Sequence, residues 1–382
     1  MNLLKGSLQD ELDLFFKHIN RTKFEERFVS KAAFCKARSK LCHSTFFDMN
    51  KILVESFYSM FEYKTWHGFR LSAIDGSTLK LPSTNNIDAH FGRRIPSEVP
   101  QARISTWYDV LNKVSIEMKV EPWYSDERNL AHRHIESANH NDLILYDRGY
   151  PCFSLYAAHM LRNVQFVMRL AKNWSRETID FENSSANERI IEIKAHRPET
   201  KLRCADNNVS TDPVKVRLIK VILPSGKNEI LITSLTNKSI YPRKLFKDLY
   251  HLRWGIEEDY KLKKLWLEYE NFSGKSSESV LQDLHAKVFT QNISAIIACG
   301  ASSLVDKKNE GRKRKYQINK AQTLSKLKNN IYAFTQRNAN ILVSKLLKIF
   351  SETLEPIRAG RAEARNHRVH KRYFYSQYKT VR

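Results

Sequence analysis

The sequence has no long hydrophobic run. A membrane-spanning helix needs about 18 apolar residues in succession, and the most apolar late segment, residues 288–299, is interrupted by Gln291 and Asn292. The opening residues 1–6 also lack the apolar stretch of a signal peptide. We therefore expect neither membrane insertion nor export, which predicts a cytoplasmic protein.

Cysteine is scarce and scattered. A zinc knuckle or a disulfide framework needs cysteines in paired spacing, and no CxxC pair occurs here. The simplest interpretation is a set of reduced thiols in a cytoplasmic protein. The five cysteines, an odd number, are Cys35, Cys42, Cys152, Cys204 and Cys299.

Acidic residues are too few to balance the basic ones. The chain has 64 Lys and Arg against 41 Asp and Glu, a formal net charge of +23. A surplus of this size favours a polyanionic partner, with nucleic acid first and a membrane surface as the rival. With 42% hydrophobic and 11% aromatic residues, the 382-residue chain can form two domains, or one large domain with an insertion.

The N-terminal part, residues 1–65, has a helical pattern. Within it, residues 31–40 form a basic amphipathic segment. Its apolar side consists of Phe34, Ala37 and Leu41. Its exposed cations are Lys36, Arg38 and Lys40. Two interpretations stay open: a helical module that recognises DNA ends, or a solvated helix packed on the main domain.

Strand patterns begin at Trp66. The order β-β-β-α-β-α-β predicts a mixed sheet with helices packed on it. The predicted strands are residues 69–82, which we expect to enter a hairpin at Asp75-Gly76, then 102–108, 114–121, 143–147 and 166–170, with helices at 128–138 and 153–161.

Residues 172–241 contain short strands and turns, which predict a β-rich insertion or a small subdomain. Its strands are expected at 190–194, 214–223 and 230–233, with a turn at 224–228. A long helix should then start at Pro242, because proline suits a first turn. Further helices are expected at 279–298 and 320–347, with a basic loop at 307–315 between them.

The tail, residues 358–382, alternates cations with aromatic residues. This composition suits neutralisation of a nucleic-acid backbone combined with base or sugar contact. It equally suits a disordered basic tail that assists non-specific binding.

Four polar residues share one side of the long predicted helix. At about 100° per residue, Tyr250, Arg253, Glu257 and Lys264 fall within an arc of about 60°. The apolar stripe beside them is Leu245, Leu249, Leu252, Ile256 and Tyr260. A phenol, a guanidinium, a carboxylate and an ammonium next to a buried stripe suit chemistry on phosphate; the alternative is a salt-bridge ladder.

Two aspartates stand at the end or bend of apolar strands. They are Asp75 and Asp147, and Glu257 is the carboxylate of the helical row. Separately, an Asp-Gly pair is a common turn, and Asp147 with Arg148 could form a local ion pair. Together the three carboxylates suit two Mg²⁺ ions for in-line phosphoryl transfer.

Three runs carry a resemblance to a known family. They are Ala-Ile-Asp75-Gly-Ser-Thr-Leu-Lys-Leu-Pro, Leu-Tyr-Asp147-Arg-Gly-Tyr-Pro, and Tyr250-x2-Arg253-x3-Glu257-x6-Lys264. Together they resemble the DDE transposases of bacterial insertion sequences with the Tyr-Arg-Glu-Lys signature, over residues 31–298. The resemblance implies an α/β, ribonuclease H-like mixed sheet with flanking helices and a β-rich insertion before the catalytic helix.

The implied organisation has three parts. Residues 1–65 would be a helical DNA-end-binding region, and residues 66–300 the catalytic domain with its insertion at about 172–241. Residues 301–382 would form a basic helical region and tail.

The resemblance also implies roles for individual residues. Asp75, Asp147 and Glu257 would be the catalytic triad and hold two Mg²⁺ ions, for which Mn²⁺ can substitute. Tyr250, Arg253 and Lys264 would contact phosphates of the element end, and Arg148 and Arg169 are further candidates for DNA binding. Trp174 or Trp254 would stack a displaced base. Glu258 points away from the row, so we expect it to face solvent.

The expected function is that of a transposase. It would bind the terminal inverted repeats of its element, cut at the ends by metal-dependent hydrolysis, and join the 3′-hydroxyls to target DNA as a homodimer around paired ends. Two alternatives stay open: a catalytically silent DNA-binding relative, and a metal-dependent nuclease without strand transfer.

Overall fold

Helices and strands alternate through the middle of the chain, between helical segments on either side. In chain order the elements are α1 (Leu8–Asn20), α2 (Lys31–Arg38), α3 (Ser44–Met60), β1 (Arg70–Lys80), α4 (Asn85–Phe91), β2 (Gln101–Asp109), β3 (Ser115–Pro122), α5 (Glu127–Ile135), β4 (Asp142–Tyr146), α6 (Phe153–Arg162), β5 (Gln165–Arg169), α7 (Arg176–Asn183), β6 (Glu188–Ile193), α8 (Pro198–Asp206), β7 (Val214–Ile222), β8 (Asn228–Thr233), α9 (Leu245–His251), α10 (Trp254–Leu265), α11 (Ser277–Asn309), β9 (Tyr316–Ile318), α12 (Lys320–Asn330), α13 (Ala339–Glu352) and β10 (Leu354–Pro356).

This computed structural model describes residues 7–222, 228–331, 334 and 339–357. Residues 224–227 of the turn predicted at 224–228, and the basic aromatic tail from residue 358, lie outside the described residues. By its internal contacts the chain forms two units: one of residues 1–63, 79–102 and 261–382, the other of residues 64–78 and 103–260.

Eight strands form one mixed sheet, in the order β3-β2-β1-β4-β5-β8-β7-β6. Strands β1, β4 and β5 run parallel, and β8, β7 and β6 continue the sheet in antiparallel pairing. The predicted fold class, a mixed α/β sheet with flanking helices, is confirmed. The strands expected as a β-rich insertion extend this same sheet, with α7 before β6 and α8 between β6 and β7. The three-part division of the chain stays a prediction.

Strands β1 and β4 are joined at their amino ends by a buried ion pair. Arg70 Nε donates to Asp142 Oδ1 at 2.6 Å and its Nη2 donates to Asp142 Oδ2 at 2.8 Å. The Asp142 side chain is fully buried, and the guanidinium lies 5.0 Å from the centre of the Trp107 ring. Two parallel donors in this geometry set the relative position of the two strands.

The hairpin expected at Asp75-Gly76 is wrong, because both residues lie inside the eleven-residue strand β1. Leu79 and Leu81 beyond them are fully buried, so the apolar pattern carries the strand forward. Gly76 does not form a turn. Its lack of a side chain lets the Glu127 side chain lie close to the backbone, since a Cβ at position 76 would lie 2.6 Å from Cδ of Glu127.

The single long helix expected from Pro242 is also wrong. Helix α9 starts at Leu245, and a turn at Leu252–Arg253 separates it from α10. At and just after this turn, four amides bond three residues back: Leu252 to Leu249, Arg253 to Tyr250, Gly255 to Leu252 and Ile256 to Arg253. Such tighter bonding is typical where an α-helix is interrupted, and glycine next to the break is a weak helix former.

The first unit is built around α11. This helix packs against α3, α12 and α13, and Asn292 donates to Asn50 Oδ1 at 2.7 Å on its buried side. Within the described part of the chain, one helix, α11, is long enough and apolar enough to cross a membrane. We expected no membrane-spanning segment, because the sequence has no uninterrupted apolar run of sufficient length. A helix buried in a protein core has the same length and composition as this one.

Arg38, which we expected to be exposed, is bound to α11. Its Nη2 donates to Asp283 Oδ1 at 3.0 Å, and its Nε donates to Gln282 Oε1 at 2.6 Å. Ala37 and Leu41, expected on the apolar side of the basic segment, are exposed. This segment therefore contacts α11 through the Arg38 guanidinium, which hydrogen-bonds to polar groups of that helix. Composition alone does not reveal this contact.

Helix α5 is fixed to the sheet by a buried histidine. His134 Nδ1 is 2.6 Å from Glu117 Oε2, and its Nε2 is 3.1 Å from Ser105 Oγ. Burial lowers the pKa of His134, although the Glu117 charge opposes this. For Glu117, burial acts to raise the pKa, but the His134 hydrogen bond and charge, with Lys119, lower it to about 2.

We expect acid to destabilise the protein in two steps. The folded-state pKa of His134 is below 6.5, so the unfolded chain takes up the proton first, and stability is lost as pH falls below about 6.5. Glu117 adds a second loss between about pH 4.5 and pH 2, because its folded pKa is also lowered. Urea unfolding should give a lower free energy of unfolding at pH 5.5 than at pH 7.5, with His134 contributing to the difference. His134→Gln should reduce this difference; an unchanged pH dependence would contradict the assignment.

Candidate active site

Two aspartates stand side by side at the carboxyl ends of β1 and β4. The parallel register pairs Ala73 with Leu145, so two residues further along each chain Asp75 and Asp147 are neighbours. Asp147 directly follows Tyr146, the last residue of β4. Since paired strands lie about 4.8 Å apart and alternate residues share a face, both carboxylates belong to one edge and one face of the sheet.

The electrostatics of Asp75 reflect this crowding. Burial, and then the charge of Asp147, raise the pKa of Asp75 to about 7, with a further contribution from Glu127. The amide of Gly76, which donates to Asp75 Oδ1 at 2.9 Å, and the charge of Arg253 act in the opposite direction. Like-charged carboxylates held together in this way favour a bound cation.

Two phenols tie the helical segment to these strand ends. Tyr250 OH donates to the carbonyl oxygen of Tyr146 at 3.2 Å, and Tyr260 OH donates to the carbonyl oxygen of Asp75 at 2.7 Å. Glu257 lies between the two tyrosines in sequence, on the first turn of α10. The structure thereby brings the glutamate-bearing turn to the edge that carries both aspartates.

Arg253 is the counter-charge of this edge. Its Nη2 donates to Glu257 Oε1 at 2.9 Å, and its side chain is 8% exposed. The rings of Tyr250 and Trp254 lie 5.6 and 5.7 Å from its guanidinium carbon. Tyr250, Arg253 and Glu257 are therefore brought together, with the arginine directed inward at the carboxylates.

The other predicted DNA-binding cations lie at more open positions. Arg148 is exposed. Arg169 is ion-paired with Glu229 at 2.7 Å, with 30% of its side chain exposed. Lys264 is half-buried in the last turn of α10. The DNA contacts of all three stay predictions.

The remaining candidates differ in exposure. Trp174 packs on the core beside Tyr156, with ring centres 5.9 Å apart, whereas Trp254 is 44% exposed. Of the two, Trp254 is the better placed to stack a base. Glu258 is exposed, as expected, and Glu257 is half-buried against Arg253.

Glu127 is a residue that sequence reasoning missed. Its carboxylate lies over the backbone of Gly76, next to Asp75, and is ion-paired with Arg103. Glu127 is in the first turn of α5, after the N-cap Asp126. An acidic first turn is typical of any helix, so nothing in the sequence linked it to Asp75.

The donor set fits a hard divalent cation. Asp75, Asp147 and Glu257 offer carboxylate oxygens, which Mg²⁺ prefers, and the repulsion around Asp75 would be relieved by a positive ion. The three carboxylates do not converge on a single point, because the Glu257 carboxylate is hydrogen-bonded to Arg253. In the described part of the chain, one group of three such ligand atoms lies within 4.8 Å of one another, Cys42, His43 and Glu278.

Known proteins show similarity to this chain. A family model described as "Transposase DDE domain" matches residues 66–293. The chain is similar to "Transposase InsG for insertion sequence element IS4" of Escherichia coli (strain K12), with 25% identity over 274 residues, 70% of this chain and 60% of that protein. It is also similar to a chain of the "Cryo-EM structure of piggyBac transposase synaptic complex with hairpin DNA (SNHP)", with a TM-score of 0.41 and 13% identity, covering 77% of this chain and 59% of that chain. The chain spans about 60% of the length of each of these relatives.

Proposed function

This chain belongs to the transposase DDE domain family, and from that premise we propose that it binds the terminal inverted repeats of an insertion sequence and moves the element by cut-and-paste. Cleavage and strand transfer would both be metal-dependent phosphoryl transfers at one site, with water and then a DNA 3′-hydroxyl as nucleophile.

One observation carries this proposal. Asp75 and Asp147 are neighbours at the carboxyl ends of two parallel strands, at the edge to which Tyr250 and Tyr260 tie the turn bearing Glu257. These three carboxylates would hold the cations, Mg²⁺ or Mn²⁺. When bound, such cations activate the attacking oxygen and stabilise the leaving oxygen.

The surrounding residues would position the DNA and the carboxylates. In the structure described here Arg253 holds Glu257 and offsets the charge at Asp75. A phosphate entering this edge can compete with Glu257 for that guanidinium, because arginine binds both groups through the same paired donors. Arg148, Arg169 and Lys264 would contact the backbone further out, with Tyr250 beside the terminal phosphate and Trp254 stacking a displaced base.

We propose the remaining properties on the same premise. The net charge of +23 suits both an element end and a target duplex. Paired ends imply a homodimer, and the protein would act in the cytoplasm without a membrane partner. Residues 1–65 would bind the end, residues 66–300 catalyse, and residues 301–382 add non-specific affinity.

The decisive experiment uses duplexes that carry candidate element ends, chosen by a search of the DNA flanking the gene for short inverted repeats, with Mg²⁺ and a supercoiled plasmid. We expect cleavage at the repeat ends and insertion of the cut ends into the plasmid, and loss of both when EDTA removes the cation. Product sizing on gels measures both steps. Duplexes that already end in a 3′-hydroxyl test joining alone.

The two alternatives give different products. Tight binding of the repeats without cleavage in Mg²⁺ or Mn²⁺ would identify a silent DNA-binding relative. Cleavage without joining of the pre-cut ends would identify a nuclease.

A further inference from the structure

Three different metal-binding groups meet where two helices of the first unit begin. His43 directly precedes α3, and Glu278 lies in the first turn of α11. His43 Nδ1 is 2.8 Å from Glu278 Oε2 and 4.0 Å from Cys42 Sγ, and the three ligand atoms lie within 4.8 Å of one another. A thiol, an imidazole and a carboxylate therefore share one small volume.

An ion pair explains only two of these three groups. A ring nitrogen carries at most one hydrogen, so His43 Nδ1 can donate to Glu278 or accept from Cys42, but it cannot do both. A metal ion in place of that hydrogen can bind all three groups, because each of them offers a lone pair once it is deprotonated. The arrangement therefore contains one group more than an ion pair uses.

The separations are close to those of a tetrahedral zinc site. With Zn–S of about 2.3 Å, and Zn–N and Zn–O of about 2.1 Å, tetrahedral angles place sulfur and nitrogen about 3.6 Å apart and nitrogen and oxygen about 3.4 Å apart. The observed separations are 4.0 Å for Cys42 Sγ to His43 Nδ1 and 2.8 Å for His43 Nδ1 to Glu278 Oε2. The differences, about 0.4 and 0.6 Å, are within what rotation of the thiol and the carboxylate can supply.

Helix α11 holds the backbone on either side of these ligands. Gln282 Nε2 donates to the carbonyl oxygen of Leu41, and the His43 amide donates to Glu278 Oε1 at 2.5 Å. The second bond orients the carboxylate, so that Oε2 faces the imidazole. The His43 ring stacks on the buried His285, with ring centres 5.8 Å apart. Because α3 and α11 pack together, the ligands are held in place before an ion binds.

We propose that Cys42, His43 and Glu278 bind a zinc ion that links the start of α3 to the start of α11. Thiolate, imidazole and carboxylate are zinc ligands, and water would complete the tetrahedron. The Cys42 thiol gives its proton to solvent, and His43 binds through Nδ1 as the neutral tautomer with its proton on Nε2. The acidic edge has a different donor set, since its oxygen ligands favour Mg²⁺. The inference does not depend on the proposed function.

The role of this ion would be structural. His43 and Glu278 are 235 residues apart in sequence, so the ligands come together only in the folded chain. An ion that binds the folded chain and not the unfolded one raises stability. Zinc would therefore stabilise the packing of the N-terminal helices on α11.

The test uses Co²⁺, which replaces zinc in tetrahedral sites and absorbs light, in the reduced full-length protein with Mg²⁺ in excess at the acidic edge. We expect wild type to give the visible bands of tetrahedral cobalt and a thiolate-to-cobalt charge-transfer band in the near ultraviolet, both lost when Zn²⁺ is added. Cys42→Ser should lose the charge-transfer band. Cys35→Ser, which removes another exposed thiol, is the matched control and should behave as wild type does.

Glu278→Gln tests the carboxylate. It keeps an oxygen that can accept from the His43 amide but is a poorer metal ligand. Loss of a hydrogen-bonding partner behind a ligand already weakens metal affinity 10–100-fold, so we expect Co²⁺ binding roughly 100-fold weaker, followed by the charge-transfer band. Zn²⁺ should also raise the Tm of Cys35→Ser more than that of Cys42→Ser.

Several results would overturn the inference. They are a wild-type protein without the charge-transfer band, a band that survives Cys42→Ser, or a band that Cys35→Ser also removes. Unchanged Co²⁺ affinity in Glu278→Gln would show that the carboxylate is an ion-pair partner and not a ligand. Circular dichroism in EDTA checks folding of each variant; should Cys42→Ser fail to fold, the affinity of Glu278→Gln decides.

Discussion

Asp147→Asn is expected to lower strand cleavage in Mg²⁺ by roughly 10³-fold or more, while binding of the inverted repeats in EDTA is retained. The substitution keeps the shape of the side chain and removes one of two neighbouring charges at the ends of β1 and β4. A neutral amide is a poor ligand for Mg²⁺, so the site would lose a ligand without a change of fold. Gel assays of cleavage and of mobility shift measure the two effects separately.

The same variant should become more stable in the absence of a cation. Asp147 acts on Asp75 by repulsion, so removing its charge should raise the free energy of unfolding by roughly 0.5–2 kcal/mol. Asp206→Asn, an exposed aspartate at the end of α8, is the matched control and should change neither property. Full cleavage by Asp147→Asn would refute the triad, and a lower free energy of unfolding in this variant would contradict the predicted repulsion between the two aspartates.

Arg70→Ala should be among the most destabilising single substitutions in the chain. It leaves the Asp142 carboxylate fully buried, with one amide donor, Asn139 N at 2.9 Å, in place of the bidentate arginine. Breaking a buried ion pair by removing one partner costs about 3–5 kcal/mol, because the other charge stays uncompensated. Urea unfolding at pH 7 measures the loss.

Two further variants test the cause. Arg133→Ala removes a cation that is 50% exposed and paired with Glu121, and should cost less than about 1 kcal/mol. Adding Asp142→Asn to Arg70→Ala removes the stranded charge and should recover part of the loss. If Arg70→Ala and Arg133→Ala were equally mild, the buried pair would not be what holds β1 and β4 in register.

These two predictions concern opposite ends of one pair of strands. At the amino ends, opposite charges are paired and buried; at the carboxyl ends, about five residues or roughly 16 Å further along, like charges are placed together. The first arrangement stabilises the sheet and fixes its register. The second is unfavourable until a cation binds, which is the usual relation between stability and a site built for chemistry.

Much of the sheet was predictable because strand patterns are local. The segment 143–147 corresponds to β4, 166–170 to β5 and 230–233 to β8, within a few residues at each end. Buried strands show continuous apolar runs and need no knowledge of their neighbours. The position of Asp147 at the end of such a run followed directly.

The errors arose where long-range packing outweighed local preference. Asp75-Gly76 has the composition of a turn, but strand β1 continues through it, and the Glu127 side chain lies over Gly76. Arg38 has the pattern of an exposed cation, but it satisfies polar groups of α11. The break before α10 depends on bonding within a turn that helical periodicity does not detect.

By itself the sequence determined the order of the elements, the basic charge, and three carboxylates with a family motif around each, because these are properties of segments. Only the tertiary structure decided which groups meet: the parallel register that sets Asp75 beside Asp147, and the inward arginine at Glu257. Distances between side chains far apart in sequence are set by how whole strands and helices pack, and no local pattern contains them.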